Sequence, residues 1–275
     1  MAREVSTVSL PHGPTLSYAA QGDQSAVPLV FLPGPTDSWL SYRPVLDQLP
    51  SWIRAIAVSQ RGHGDSDKPA TGYRVGDFAH DAVRLLDALD VERAFLIGHS
   101  GSCLVARRVA IDRPERVAGL VLEASPATLL GDAGLNDFVE SVVSTLQDPI
   151  GTTFARSFVA DTSSPDVDPD LSDELVRELL KVPARVWREL FASLLDYDDR
   201  SDLARITTPT LLIWGDADVL VRRDMQEELI AHIPSARLVV YSGVGHTPRW
   251  EDPSRFASDV ATFVDQLLHR DPQES

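Results

Sequence analysis

A recurring unit constrains this chain more than any other feature: a short apolar run followed by a stretch with helical spacing. It appears as Val27 to Leu32 before Tyr42 to Leu49, Ile53 to Val58 before Phe78 to Leu89, and Ala94 to Ile97 before Leu104 to Asp112. A further run, Val117 to Leu122, closes the first half, and the pattern resumes with Thr210 to Trp214, Met225 to His232, Ala236 to Tyr241 and Ser254 to Leu268. Strands that are apolar on both faces must be covered on both faces, and strands separated by helices run parallel. Ahead of them, Val5 to Leu10 and Leu16 to Ala20 flank Pro11-His12-Gly13-Pro14, which is turn chemistry and predicts a hairpin. The expectation is therefore an α/β protein with a mostly parallel, eight-stranded sheet and helices on both faces.

One segment breaks the rhythm. From about Leu129 to Ser201 the sequence offers amphipathic pieces, Leu135 to Leu146 and Leu171 to Leu180, interrupted at Asp148-Pro149, Ser163-Ser164-Pro165-Asp166 and Val182-Pro183, and no parallel strand. A helical insertion after the sixth strand is how a lid is built over the carboxyl ends of a sheet. The chain thus divides into a core, 1–128 and 202–275, and a helical cap, 129–201. Phe138, Phe154, Phe158, Trp187, Leu190 and Phe191 supply the apolar residues of that cap, and some of them would line the pocket beneath it.

Composition narrows the partners. With 275 residues and a formal net charge of -16, the chain as a whole repels nucleic acid and anionic membrane surfaces, leaving a small molecule as the expected partner. The single cysteine, Cys103, precludes an intramolecular disulfide and reads as a small buried apolar residue. Met1-Ala2-Arg3-Glu4-Val5 lacks the apolar segment of a signal peptide, and no run is long enough to span a bilayer. The expectation is a cytoplasmic protein, monomer or homodimer.

Chemistry enters where the strands end. Ala94-Phe95-Leu96-Ile97-Gly98-His99-Ser100-Gly101-Ser102 reads as strand, tight turn and helix, with a serine at the top of the turn. Such a turn lifts a hydroxyl clear of the sheet and needs small neighbours; the same stretch also fits a strand running into a serine-capped helix. A later strand ends in Trp214-Gly215-Asp216-Ala217-Asp218, and another runs into Ser242-Gly243-Val244-Gly245-His246. Parallel strands end side by side, so a serine, an acid and a histidine in that chain order can converge. Ser100 would be the nucleophile, His246 its base, and Asp218 the group that orients the imidazole. His99 reads as structural, and the other histidines lack metal-ligand spacing. No metal or cofactor is expected.

With these residues in place, the chain resembles the α/β-hydrolases over nearly its whole length. Gly98-His99-Ser100-Gly101-Ser102 resembles the G-x-S-x-G elbow with serine at the fifth position; Arg61-Gly62-His63-Gly64-Asp65-Ser66 resembles R-G-x-G-x-S; Gly215 to Asp218 resembles G-x-x-D; and Gly245 to Pro253 resembles the histidine loop. The resemblance implies a serine hydrolase acting on a small to medium, apolar carboxylic ester or lactone through an acyl-enzyme. The same family also holds carbon–carbon bond hydrolases, cofactor-free oxygenases, perhydrolases and signal receptors. A lyase or oxygenase without cofactor, or a ligand-sensing receptor, is therefore the alternative.

Two departures from the family pattern bear on mechanism. Where the family has His-Gly-x after the third strand, this chain has Pro33-Gly34-Pro35, so x carries no N–H for an oxyanion hole. Gly101 would supply one donor, and the second would come from Thr36, through its N–H or hydroxyl, from Ser38, or from a shifted loop. Glu123, at the end of the sixth strand, is the other departure, because zearalenone-type lactonases take their triad acid from that strand end. It is carried as the alternate acid or as a second carboxylate supporting the histidine. The expected pocket comprises Gly34, Ser38, Trp39, Phe138, Trp187 and Trp250.

Overall fold

A computed structural model describes residues 3–164 and 167–269. Met1 and Ala2, the Pro165-Asp166 part of one expected break in the insertion, and 270–275 at the end of the expected core range lie outside the described residues. The strands are β1 (Glu4–Ser9), β2 (Thr15–Gln21), β3 (Leu29–Leu32), β4 (Ala55–Val58), β5 (Ala94–His99), β6 (Val117–Glu123), β7 (Thr210–Gly215) and β8 (Ala236–Tyr241). They form one eight-stranded sheet in the order β1-β2-β4-β3-β5-β6-β7-β8. β1 and β2 form the antiparallel hairpin, Val8 facing Leu16, and β2 joins β4 antiparallel; every other pairing is parallel. The sheet is the mostly parallel one that the apolar runs predict.

Those runs have no polar face because successive side chains serve two cores. In β3, Val30 and Leu32 join one core while Leu29 and Phe31 join the other; in β5 the division is Ala94 and Leu96 against Phe95 and Ile97. The helices are α1 (Arg43–Leu46), α2 (Val75–Ala88), α3 (Gly101–Asp112), α4 (Ala133–Ser141), α5 (Thr152–Asp161), α6 (Pro169–Leu179), α7 (Ala184–Asp196), α8 (Arg223–His232), α9 (Pro248–Glu251) and α10 (Pro253–Leu268). Leu85 of α2 and Leu104 of α3 belong to the first core, and Val45 of α1 and Phe256 of α10 to the second. Each such side chain contributes roughly 1.5–3 kcal/mol on burial.

Four helices, α4 to α7, fall between β6 and β7, where two were delineated from spacing. α5 and α7, which had not been delineated, each bury one face against their neighbours, α5 through Ala155 and Val159 and α7 through Val186, Trp187 and Leu190. The expected helix at Tyr42 to Leu49 shrinks to a 3-10 turn at Trp39–Tyr42 and the single turn of α1, with Pro44 in its first turn. The stretch that leaves β6 and the one that returns before β7 are both held to α3. Arg107, fully buried, donates to Asp199 Oδ1 (2.7 Å) and Oδ2 (3.2 Å) and to the carbonyls of Pro126 (2.8 Å) and Ala127 (3.0 Å). No helix among the described residues is long and apolar enough to cross a membrane.

The turn after β4 carries a consequence for acid stability. His63 is buried there, its Nδ1–H donating to the Arg61 carbonyl at 2.8 Å, and burial pushes its pKa from 6.5 down to about 4. The unfolded chain takes up this proton near pH 6.5, whereas the folded chain withholds it until about pH 4. The stability is therefore whole above pH 6.5 and falls by about 1.4 kcal/mol per pH unit between the two values through this group alone. His63→Asn, which keeps an N–H for the Arg61 carbonyl, should flatten that slope in denaturant titrations between pH 7 and 4.5. An unchanged slope would remove His63 from the account.

Candidate active site

The elbow is built as the spacing requires. Ser100 stands between β5 and α3 at φ 52°, ψ −126°, a strained conformation held by the surrounding sheet, and its N–H donates to the Glu123 carbonyl at 2.9 Å. Gly98 must lack a side chain, because a Cβ there would lie 2.8 Å from the Ser102 carbonyl oxygen and 2.9 Å from Cys103 Cα. Cys103 is buried with its thiol against the Gly98 and Glu123 carbonyls, and burial raises its pKa to about 12, so it packs as the small apolar residue expected.

At the ends of β5, β7 and β8 three side chains meet. His246 Nε2 lies 3.0 Å from Ser100 Oγ, and His246 Nδ1 lies 2.8 Å from Asp218 Oδ2. The second oxygen of Asp218 accepts from the amides of Leu220 (2.8 Å) and Val221 (3.0 Å), which fixes the carboxylate in the plane that the imidazole needs. His99 lies behind the same imidazole, with ring centroids 4.9 Å apart. Its Nε2–H donates to the His246 carbonyl at 3.0 Å, and burial first, then Arg249 and His246, holds its pKa well below the usual range.

Glu123 stands beside this relay without joining it. Its Oε1 accepts from the Arg249 N–H at 2.9 Å and faces the Arg249 guanidinium at 3.4 Å, while its Oε2 accepts from Tyr42 at 3.2 Å. Burial raises its pKa, opposed chiefly by Arg249. Arg249 is itself fully buried and reaches Ser41 Oγ (3.0 Å) and Asp37 Oδ2 (2.8 Å). One guanidinium on the histidine loop thus joins the end of β6 to the loop after β3. Glu251, the acid further along the loop, accepts from the N–H of Gly245 and of Thr247.

The departures in the loop after β3 and at the elbow turn out to be one arrangement. Ser102 Oγ donates to the Pro33 carbonyl at 2.6 Å, and Gln60 Nε2 donates to both, at 2.9 Å to Ser102 Oγ and 3.0 Å to Pro33. The serine in place of glycine ties down the loop that carries Pro35. Pro35 packs directly on the elbow: its Cγ would lie 2.9 Å from a Cβ at Gly101. Gly101, first residue of α3, carries one of the N–H groups that a helix cannot satisfy internally.

Ser100, His246, Gly34, Pro35, Gly101, Phe138 and Trp250 open onto one cavity of about 510 Å³ under α4, α5 and α7. Four other expected residues do not. Thr36, at φ 74°, is buried with its hydroxyl unpartnered and does not line the cavity. Ser38 caps the Trp39–Tyr42 turn, and Trp39 packs on the opposite core. Trp187 is fully buried among the insertion helices, stacked on Phe191 at 5.5 Å and in a T-shaped contact with Phe158, and it is Phe191 and Phe158 that reach the cavity. Trp187, Leu190 and Phe191 share one apolar face of α7 at i, i+3 and i+4, and spacing alone did not rank them. Asp37, Leu194 and the Val219–Arg222 loop were missed; the proximity of the last to Asp218 was the one available signal.

A hydroxyl, an imidazole and a carboxylate in series at strand ends along one edge of the sheet, beneath a largely apolar cavity, define an enzyme of hydrolase type. The comparisons agree: the model of the alpha/beta hydrolase fold matches residues 27–253, and the chain belongs to that family. The non-heme chloroperoxidase of Streptomyces lividans is 29% identical over 94% of this chain and 99% of its own length. The 3-oxoadipate enol-lactonase 1 of Acinetobacter baylyi is 28% identical over 93% of this chain and 95% of its own. Among solved structures, the esterase RhEst1 from Rhodococcus sp. ECU1013 superposes with a TM-score of 0.84 at 28% identity, covering 96% of this chain and 99% of its own.

Proposed function

We propose that this protein cleaves a small to medium, apolar carboxylic ester or lactone through an acyl-enzyme on Ser100. The observation that carries the reading is the continuous relay from Ser100 Oγ through His246 to Asp218, at 3.0 and 2.8 Å, opening into the 510 Å³ cavity. Neutral His246 takes the Ser100 proton at Nε2 as the hydroxyl attacks, its Nδ1–H held by Asp218, and returns it to the leaving alcohol; water then releases the acyl group. Asp218 is assigned as the acid because Glu123 is already committed to Arg249 and Tyr42. Residues 129–201 act as the cap that excludes water, and the exposed side chains of Val219 and Leu220 at the rim favour an apolar ligand. An enol-lactonase and an esterase among the relatives support the same class.

Pro35 leaves the Gly101 N–H as the backbone donor for the oxyanion, and a missing donor costs on the order of a hundredfold in rate. Turnover of activated esters and lactones should therefore far exceed that of unactivated ones. The test is intact-protein mass spectrometry during turnover of such a panel. An acyl adduct on the wild type that is absent from Ser100→Ala is expected; no adduct and no Ser100-dependent turnover would overturn the reading. The same Pro35 favours one second reading, a cofactor-free lyase or oxygenase in which His246 abstracts a substrate proton and Ser100 only orients. In that case Ser100→Ala keeps most of the rate and His246→Ala removes it.

A further inference from the structure

One polar group on the wall of the catalytic cavity has no part in the hydrolytic cycle. Asp37 accepts through Oδ2 from Ser41 Oγ at 3.1 Å and from the Arg249 guanidinium at 2.8 Å. Its other oxygen, Oδ1, has no partner among the described residues, and the side chain keeps 16% exposure where it lines the cavity. The charge behind it is incomplete. Arg249, fully buried, faces both Asp37 and Glu123, so one guanidinium is shared between two carboxylates. The arginine on the wall among the described residues, Arg222, is engaged by Asp224 at 3.2 Å and Asp132 at 3.7 Å. The rest of the wall combines apolar Leu135, Phe138, Phe158, Phe191 and Leu194 with two further carboxylates, Asp132 and Asp161, beside Thr162.

Resting on the serine-hydrolase reading of this site, we propose that Asp37 determines specificity by accepting a hydrogen bond, through Oδ1, from a hydroxyl or ammonium group of the substrate. The substrate class is then an apolar ester or lactone that carries such a donor and is neutral or cationic. An apolar ligand without a donor would strip water from Oδ1 and leave it unpaired, which costs more than the bond is worth when made. A substrate carboxylate would lose its hydration, meet a like charge, and find no free cation on the described wall to receive it. An ammonium or hydroxyl gains a charge-assisted hydrogen bond instead.

The experiment compares kcat/KM for activated esters of one chain length ending in methyl, hydroxyl, primary ammonium or carboxylate. The wild type should favour the hydroxyl and ammonium esters over the carboxylate ester by tenfold or more. Asp37→Asn keeps an oxygen for Ser41 and Arg249 and turns the free acceptor into a donor, so the ammonium-to-carboxylate ratio should fall at least tenfold. Ser41→Ala loosens the mooring of Asp37 without changing the charge of the cavity and should keep the wild-type ratio; thermal melts verify that both variants fold. A wild type that prefers the carboxylate ester, or an Asp37→Asn ratio equal to that of the wild type, would overturn the proposal while leaving the hydrolase reading standing. Absence of Ser100-dependent turnover with every ester would overturn both.

Discussion

Alanine at position 100 is expected to lower kcat on an activated ester by about a millionfold, with the fold retained. The size follows from the relay acting as a unit: without the hydroxyl, the base at 3.0 Å has no proton to take and the orienting carboxylate has nothing to serve. His246→Ala should cost about as much as Ser100→Ala, and the double variant no more than either alone, because each single change already disables the same step. Asp218→Asn should cost less, about ten thousandfold, through the wrong imidazole tautomer. Steady-state kinetics on the three single variants and the Ser100/His246 double variant check this pattern. Losses that add in the double variant would mean that the two residues act independently, contrary to the 3.0 Å contact between them.

Arg249→Met should destabilise the protein by about 3–5 kcal/mol, more than any surface ion pair in this chain. Methionine keeps much of the stem volume but leaves Glu123, fully buried, and Asp37 without their counter-charge. In the wild type burial already raises both carboxyl pKa values, and Arg249 is the chief influence opposing it. Without it both rise further, so the folded variant holds protons that the unfolded chain gives up near pH 4. Its deficit relative to wild type should therefore be small at pH 4.5 and grow toward neutrality, where the buried carboxylates would have to ionise. Glu123→Gln in the Arg249→Met background should restore part of the loss, since it removes one of the orphaned charges. Denaturant unfolding of the wild type and both variants at pH 4.5 and 7.5 reads all of this; a deficit independent of pH would assign the effect to packing alone.

The division between sequence and structure follows from the range of the forces involved. Strand and helix identity were legible because burial on two faces leaves unbroken runs such as Leu29–Leu32, and because turn chemistry at Gly98 to Gly101 is local. The order serine, acid, histidine was legible too, since parallel strands put their carboxyl ends on one edge whatever lies between them. Glu123 and Asp218 are both carboxylates at adjoining strand ends; the Gly215 to Asp218 motif favoured Asp218, but nothing local said what Glu123 does instead. Packing decided that, by burying Arg249 across Asp37, Ser41 and Glu123, residues distant in the chain, and leaving His246 Nδ1 to Asp218. The cavity wall was decided in the same way. Trp187 and Phe191 lie one turn apart on α7, yet Trp187 is enclosed by Phe154 and Phe158 and Phe191 reaches the site. Period and turn chemistry are written into neighbouring residues; the pairing of buried charges and the choice of an inward face depend on which distant surfaces meet, and that is settled only when the chain has closed on itself.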